Sequence, residues 1–211
     1  MTDCNVLIGI TGGSASGKSR LSRELYQALG DSSVLITQDD YYFDSSTLSE
    51  QERADKNYDH PDAVDLYRLQ EDLQALKRGD SINAPIYCFE THARLKDTKP
   101  ISSAQVIIVE GIFVLQQANI KDLLDIKVFL SVESDTRLLR RIVRDVGARG
   151  RTIESVAAQY LETVRPMHQK FIEPARKHAD IVFSSENNDD VDKAVIKLTE
   201  MISGHLARMS Q

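Results

Sequence analysis

The chain has 211 residues, 41% of them hydrophobic and 27% charged, which is ordinary for a globular protein and enough to bury a core as one α/β domain without staples. Its formal net charge of −6 lacks the basic footprint of a dedicated nucleic-acid binder, so any phosphate must be held by local groups and not by a global positive field. Two cysteines in unrelated contexts, Cys4 and Cys88, form no CxxC pair; they suggest neither a disulfide framework nor a zinc site and read as reduced thiols in a cytoplasmic protein.

Taken in order, Val6 to Ile10 is a short apolar run ending at Thr11 and Gly12, the pattern of a buried strand. It enters this strand with no basic n-region or apolar h-region before it, and no apolar run is long enough to span a bilayer. Lys18 to Leu29 repeats Leu21, Leu25, Tyr26 and Leu29 at helical spacing and stops at Gly30. Val34 to Thr37 predicts a second strand. Phe43 to His60 is polar and aperiodic, a mobile loop with some helix. Asp65 to Lys77 predicts a helix stopped by Gly79. Residues 84–100 break the α/β rhythm and predict an inserted β-hairpin. Val106 to Val109 is four aliphatics in a row, as in a central parallel strand. Ile126 to Val132 is another strand, Asp135 to Val146 an arginine-rich helix, Ile153 to Phe171 a longer helix and Ile181 to Phe183 a last strand. From Asp190 to Leu206, Val191, Val195, Leu198, Ile202 and Leu206 share one helix face. Strands alternating with helices predict a mostly parallel sheet with helices on both faces.

The first chemical signal is Gly12-Gly13-Ser14-Ala15-Ser16-Gly17-Lys18-Ser19. It matches G-x-x-x-x-G-K-[ST] in full and lies between a predicted strand and a predicted helix. Glycines let such a loop turn its N–H groups inward, where they and the helix N-terminus hold phosphate. Lys18 is placed to reach the β- and γ-phosphates and Ser19 to ligate Mg²⁺. Glu110, at the carboxyl end of the aliphatic strand, falls beside the loop, where it can hold Mg²⁺ or orient an acceptor. Asp39 and Asp40, after the second strand, are both candidates for a base that takes a hydroxyl proton, and their pattern does not choose between them. Arg137, Arg141 and Arg144 recur at i, i+4 and i+7, with Arg140, Arg149 and Arg151 close by. Such a cluster in an acidic chain suits a phosphate-gripping lid over residues 135–151 better than a solvated face paired with Asp135 and Asp145.

With these segments on the page, the chain resembles the bacterial uridine/cytidine kinase family from about Ile8 to Phe183. The likeness lies in the phosphate loop, Gln38 to Tyr42, Asn57 to Ala63, Pro85-Ile86-Tyr87 with Thr91 to Arg94, Glu110 to Ile112, Arg140 to Asp145, Arg149 to Arg151, Gln159-Tyr160 and Val164 to Met167. The resemblance implies a P-loop kinase that moves the γ-phosphate of ATP or GTP to the 5′-hydroxyl of uridine or cytidine with Mg²⁺, typically as a homotetramer. It implies Asp39 as the base rather than Asp40. Tyr42 and Tyr58 would line the acceptor pocket, and Asp59 and Arg151 would bind the ribose hydroxyls. Tyr87 and His92 would read the pyrimidine edge, with Phe89 against the base. Gln159 would lie near the acceptor, and Arg141 and Arg144 would grip the triphosphate, Arg144 acting in transfer beside Lys18. The chain departs from the family at Ser184 to Asp190, which lacks the usual basic, glycine-containing turn and so alters the base side of the donor site. A sugar-phosphate kinase of the same superfamily would need no base-reading hairpin, and a nucleotide switch would need no base at Asp39.

Overall fold

The structure, a computed structural model, describes residues 5–209. Its centre is a five-stranded parallel sheet of β1 (Val6–Gly12), β2 (Ser33–Thr37), β5 (Val106–Glu110), β6 (Ile126–Ser131) and β7 (Ile181–Ser184), in the order β2-β5-β1-β6-β7. The hairpin strands β3 (Ile82–Cys88) and β4 (Ala93–Ile101) form a separate antiparallel pair. Cys4 lies outside the described residues; Cys88 is a free thiol in β3.

Strand alternation divides the core in two. Val6, Ile8, Ile10, Val106, Ile108, Ile126 and Val128 face α1 (Lys18–Leu29) and α8 (Asn188–Met209), where Leu21, Leu25, Val191, Leu198 and Ile202 are buried. Val195 and Leu206 pack at the edge of that layer, so the predicted apolar face of α8 is the one it buries. Leu7, Ile107, Val109 and Phe129 face the other way, toward α3 (Leu66–Lys77) and the segment after β5. Leu69, Leu73 and Leu76 of α3 are fully buried there; truncating such a leucine to alanine costs about 2–5 kcal/mol. Helices thus cover both faces, as continuously apolar parallel strands require.

Sheet register decides where chemistry collects. Glu110 pairs in register with Ile10 on one side and Thr37 on the other. The loop after β1, the 3-10 turn Gln38–Tyr41 after β2 and Glu110 therefore meet at one carboxyl edge.

The polar loop 43–60 contains the helix expected within it, α2 (Glu50–Asp55), opened by a reciprocal capping box between Ser49 and Glu52. Three features differ from sequence expectation. A four-residue helix α4 (Ala118–Lys121) follows β5, too short to show periodicity. The expected single helix from Ile153 to Phe171 is instead α6 (Ile153–Gln159), a π turn (Tyr160–Val164), α7 (Arg165–Met167), a second π turn (His168–Ile172) and a 3-10 segment (Glu173–His178). Pro166 and Pro174 lack the N–H that a regular helix needs at those positions, and wider or tighter turns absorb the missing bonds. The arginine-rich helix α5 (Ser134–Arg149) starts one residue earlier and ends three residues later than expected, and it stops on Gly150 in the left-handed region.

Candidate active site

The phosphate loop spans the gap between β1 and α1. Gly17 has φ +92°, a conformation that side chains disfavour, and it starts the helix. The Gly13 carbonyl accepts from Ser16 N at 3.0 Å, closing the first turn. Ser16 Oγ is buried without a partner, a polar group waiting for a ligand oxygen. Lys18 is buried, and its charge is felt by both Glu110 and Asp59.

Ser19 Oγ donates to Glu110 Oε1 at 2.9 Å. Burial, partly offset by Lys18 and reinforced by Asp39, pushes the Glu110 carboxyl up to about 7. A hydroxyl and a desolvated carboxylate side by side are hard oxygen donors that fit Mg²⁺. Among the described residues no group of three or more His, Cys, Asp or Glu forms a metal cage. None is needed for Mg²⁺ beside phosphates, which supplies itself from one or two protein oxygens, substrate and water.

The two neighbouring aspartates point to different environments. Asp40 accepts from the Tyr87 backbone N–H; burial raises its carboxyl, Asp39 adds to that, and Lys99 opposes. It ties the turn to the hairpin. Asp39 accepts no hydrogen bond among the described residues, and its charge acts on Tyr42, Asp59, Glu110 and Arg149. Gln38 anchors this turn, accepting from Phe113 N at 3.0 Å. Its side chain occupies the space a Cβ on Gly111 would need, which accounts for that glycine.

Across Arg141 from the loop lies an aromatic cluster drawn from separate elements. Tyr42 sits 5.3 Å from Tyr87, 6.1 Å from Tyr58 and 6.2 Å from Phe89, ring centre to ring centre. Tyr58 and His92 lie 5.0 Å apart. Tyr42 donates its hydroxyl to the Tyr58 carbonyl at 3.0 Å and is thereby fixed as wall. Tyr58 OH, Tyr87 OH and His92 Nδ1 are buried with no partner. Burial and the nearby Arg53, Lys56 and Arg149 lower the His92 pKa, keeping its imidazole neutral. His92 itself has φ +53°, strain held at the hairpin turn where its carbonyl accepts from Ser45 N at 2.9 Å. Arg94 staples the hairpin down through the carbonyls of Tyr41 and Tyr42 and an ion pair of 3.0 Å with Asp65.

Arg141 stands between the two regions. Its Nη1 donates to Ser14 Oγ and its Nη2 to Gln159 Oε1, both at 2.9 Å. Arg151 donates to the same Gln159 oxygen. Asp59 is buried, its carboxyl raised by desolvation against the pull of Arg141, and it accepts a long bond from Thr163 Oγ1 at 3.5 Å. Arg144 turns away from this centre to Asp145 at 2.8 Å, and Arg149 pairs with Asp145 at 3.5 Å while covering the Phe89 ring at 5.1 Å. The shared face expected for Arg137, Arg141 and Arg144 is therefore only partly realised. The first two are buried, whereas Arg144 is half-exposed. Asp145, fully buried, pairs with Arg141, Arg144 and Arg149 and is the counter-ion that organises the cluster; Asp135 accepts from the Thr136 N–H in the first turn of its own helix.

The unusual segment after β7 is tied down. Ser185 is buried with Oγ against Gly17, Glu186 accepts from Glu133 N at 2.8 Å, and the Glu186 carbonyl accepts from Arg140 at 2.7 Å. Arg137, Thr163 and Asp145 were not singled out as site residues from the sequence. Arg137 and Asp145 stood inside the arginine cluster; Thr163 carried no signal.

Comparison with known proteins agrees with this geometry. A uridine kinase from Clostridium novyi (strain NT) is 45% identical over 201 residues, covering 94% of this chain and 97% of that protein. One from Clostridium perfringens (strain ATCC 13124) is 44% identical over 200 residues, covering 93% and 96%. The solved phosphoribulokinase of Rhodobacter spheroides superposes with a TM-score of 0.65 at 18% identity, covering 88% of this chain and 74% of that one, which is a likeness of fold. No helix among the described residues is long and apolar enough to cross a membrane. The Phosphoribulokinase / Uridine kinase family profile matches residues 7–192, and the chain belongs to that family.

Proposed function

We propose that the chain is a uridine/cytidine kinase that transfers the γ-phosphate of ATP or GTP to the nucleoside 5′-hydroxyl, giving UMP or CMP. The observation that carries this reading is the aromatic cluster with three unpartnered buried polar atoms, Tyr58 OH, Tyr87 OH and His92 Nδ1, in a chain that also carries a phosphate loop. An uncharged base has donors and acceptors on its edge and flat faces for aromatic walls. A sugar phosphate has hydroxyls but no flat face for such walls, and its charge would face a neutral His92.

The geometry supports the following roles. Residues 12–19 cradle the triphosphate, with Lys18 on the β/γ-phosphates. Ser19 and Glu110 would hold Mg²⁺, which supplies charge neutralisation along the phosphates. Asp39 takes the proton from the 5′-hydroxyl as its oxygen bonds to the γ-phosphorus; the bond to the β–γ bridging oxygen breaks and the nucleoside diphosphate leaves. Asp59 and Arg151 receive the ribose hydroxyls, with Gln159 linking Arg151 to Arg141. Tyr87 and His92 read the base, Phe89 and Tyr42 pack against it. Arg141 grips phosphate from its present position, while Arg144 must swing from Asp145, which is the motion of a lid over residues 135–151. The same reading takes the chain as one kinase domain with the hairpin, residues 84–100, as nucleoside flap. It also expects a cytoplasmic homotetramer, which sedimentation of the purified protein would measure.

Triphosphate consumption with and without uridine tests the function. Consumption that depends on uridine or cytidine and on Mg²⁺ supports it. Consumption unaffected by any nucleoside would overturn it.

A further inference from the structure

The phosphate-loop pattern leaves position 13 open to any residue, yet this chain has glycine there. Backbone conformation does not demand it: Gly13 is not among the glycines with positive φ. The reason is steric. A Cβ on Gly13 would lie 2.5 Å from Arg137 Nη1, 3.0 Å from Arg137 Cζ and 3.1 Å from His168 Cε1. Two side chains from distant parts of the sequence press on the first turn of the loop.

Arg137 is 5% exposed, deep for a cation. Its Nε donates to the Val132 carbonyl at 3.1 Å, fixing the guanidinium plane. Glu133, Tyr160 and Glu173 are the groups whose charges favour it. His168 stands behind it, with Nε2 3.3 Å from Glu173 Oε2 and Nδ1 buried without a partner. Burial first, then Arg137, pull the His168 pKa down to about 4 against the opposing effect of Glu173. A neutral ring lets the guanidinium sit where a second cation would repel it.

We propose that Arg137 is a positioning residue for the donor triphosphate: its guanidinium, seated on Gly13 and backed by the His168 ring, locks the first turn of the phosphate loop so that the loop's N–H groups are aimed before the nucleotide arrives. Donors fixed in advance cost no reorganisation when charge arrives, which is why a residue that touches only the loop can set triphosphate affinity. The proposal rests on the loop being the donor site. Lys18→Ala tests that separately, since it removes a phosphate contact and leaves Gly13 and Arg137 in place.

The test varies triphosphate and uridine independently in steady-state kinetics. Arg137→Ala should raise the triphosphate KM about tenfold, the scale of one lost polar contact, with uridine KM within about twofold of wild type. Gly13→Ala displaces the guanidinium without removing its charge and should raise the same constant. In the Arg137→Ala background the extra methyl should cost little more, because the group it struck is gone. Arg137→Gln, planar and uncharged, should recover more than Arg137→Lys, charged and not planar. Calorimetric binding of a non-hydrolysable triphosphate and the Tm of each variant accompany the kinetics. Recovery by lysine and not glutamine would replace positioning with simple charge. Equal rises in both KM values alongside a lowered Tm, or additive Gly13→Ala and Arg137→Ala losses, would overturn the proposal. If Arg137→Ala does not fold, the split between the two KM values in Gly13→Ala decides.

Discussion

The phosphate loop and the proposed acceptor pocket lie on either side of Arg141 and are made differently. The loop is eight consecutive residues whose working parts are backbone N–H groups, a lysine and a hydroxyl. The pocket gathers Tyr42 after β2, Tyr58 and Asp59 before α3, Tyr87, Phe89 and His92 from the hairpin, and Gln159 from α6. Phosphate is the same in every donor, so its cradle can be a local motif. A nucleoside has an edge, two faces and two ribose hydroxyls, and only convergent elements surround it. The loop is packed from behind by Arg137, and both regions keep buried polar atoms unpaired: Ser16 Oγ in the loop, and Tyr58 OH, Tyr87 OH and His92 Nδ1 among the aromatic rings.

The comparison predicts distinct failures. Lys18→Ala should abolish transfer, the largest effect, because it removes a buried cation from the transferring phosphate; measurable nucleoside binding by calorimetry should survive it. Loss of both would mean the two regions are not separable. Asp39→Asn should lower kcat by roughly 10²–10⁴-fold with little change in uridine Kd. Asp40→Asn should instead disturb the link to the hairpin through Tyr87. A kcat collapse in Asp40→Asn but not in Asp39→Asn would exchange their roles.

Within the pocket, Asp59→Ala should cut kcat/KM for uridine by about 10²-fold, the cost of unpairing a polar site that exists to bind hydroxyls, and harm deoxyuridine far less. Equal losses on both substrates would make Asp59 a structural residue. Tyr87→Phe removes a hydroxyl with no protein partner. It should therefore raise uridine KM by about tenfold while leaving Tm unchanged or slightly higher; a lowered Tm would show that the hydroxyl already serves the fold. The smallest effect is on stability. His168 has a folded pKa of about 4, below its ordinary value, so the unfolded chain binds the proton more readily. The contribution of the neutral ring is complete above about pH 6.5 and is lost as pH falls toward 4. Thermal melts at pH 7, 6 and 5 should show a shallower acid loss in His168→Gln, and identical slopes would remove His168 as the cause.

Much of this was readable from residue order. Val6 to Ser19 announced strand, loop and helix because a parallel strand buried on both faces is continuously apolar and a phosphate cradle needs glycines at fixed spacing. Val106 to Glu110 was equally plain. The helix after Ile153 was mistaken for a regular one because its apolar spacing persists through Pro166, and spacing does not record which carbonyls lose their donors. The pattern of Asp39 and Asp40 was ambiguous for a related reason. Two adjacent carboxylates look alike until the hairpin arrives from residues 82–101 and engages Asp40 through Tyr87.

Sequence by itself determined the strands, most of the helices, the phosphate loop and the family of the chain, since each is written in contiguous residues whose local physics repeats from protein to protein. Tertiary structure alone decided what meets across the site: Arg141 joining Ser14 to Gln159, and Arg137 resting on Gly13. The contacts of Arg141 with Ser14 and of Arg137 with Gly13 each span more than a hundred residues. Their existence depends on sheet register and helix packing, which place side chains in space with no mark on the neighbouring letters of the chain.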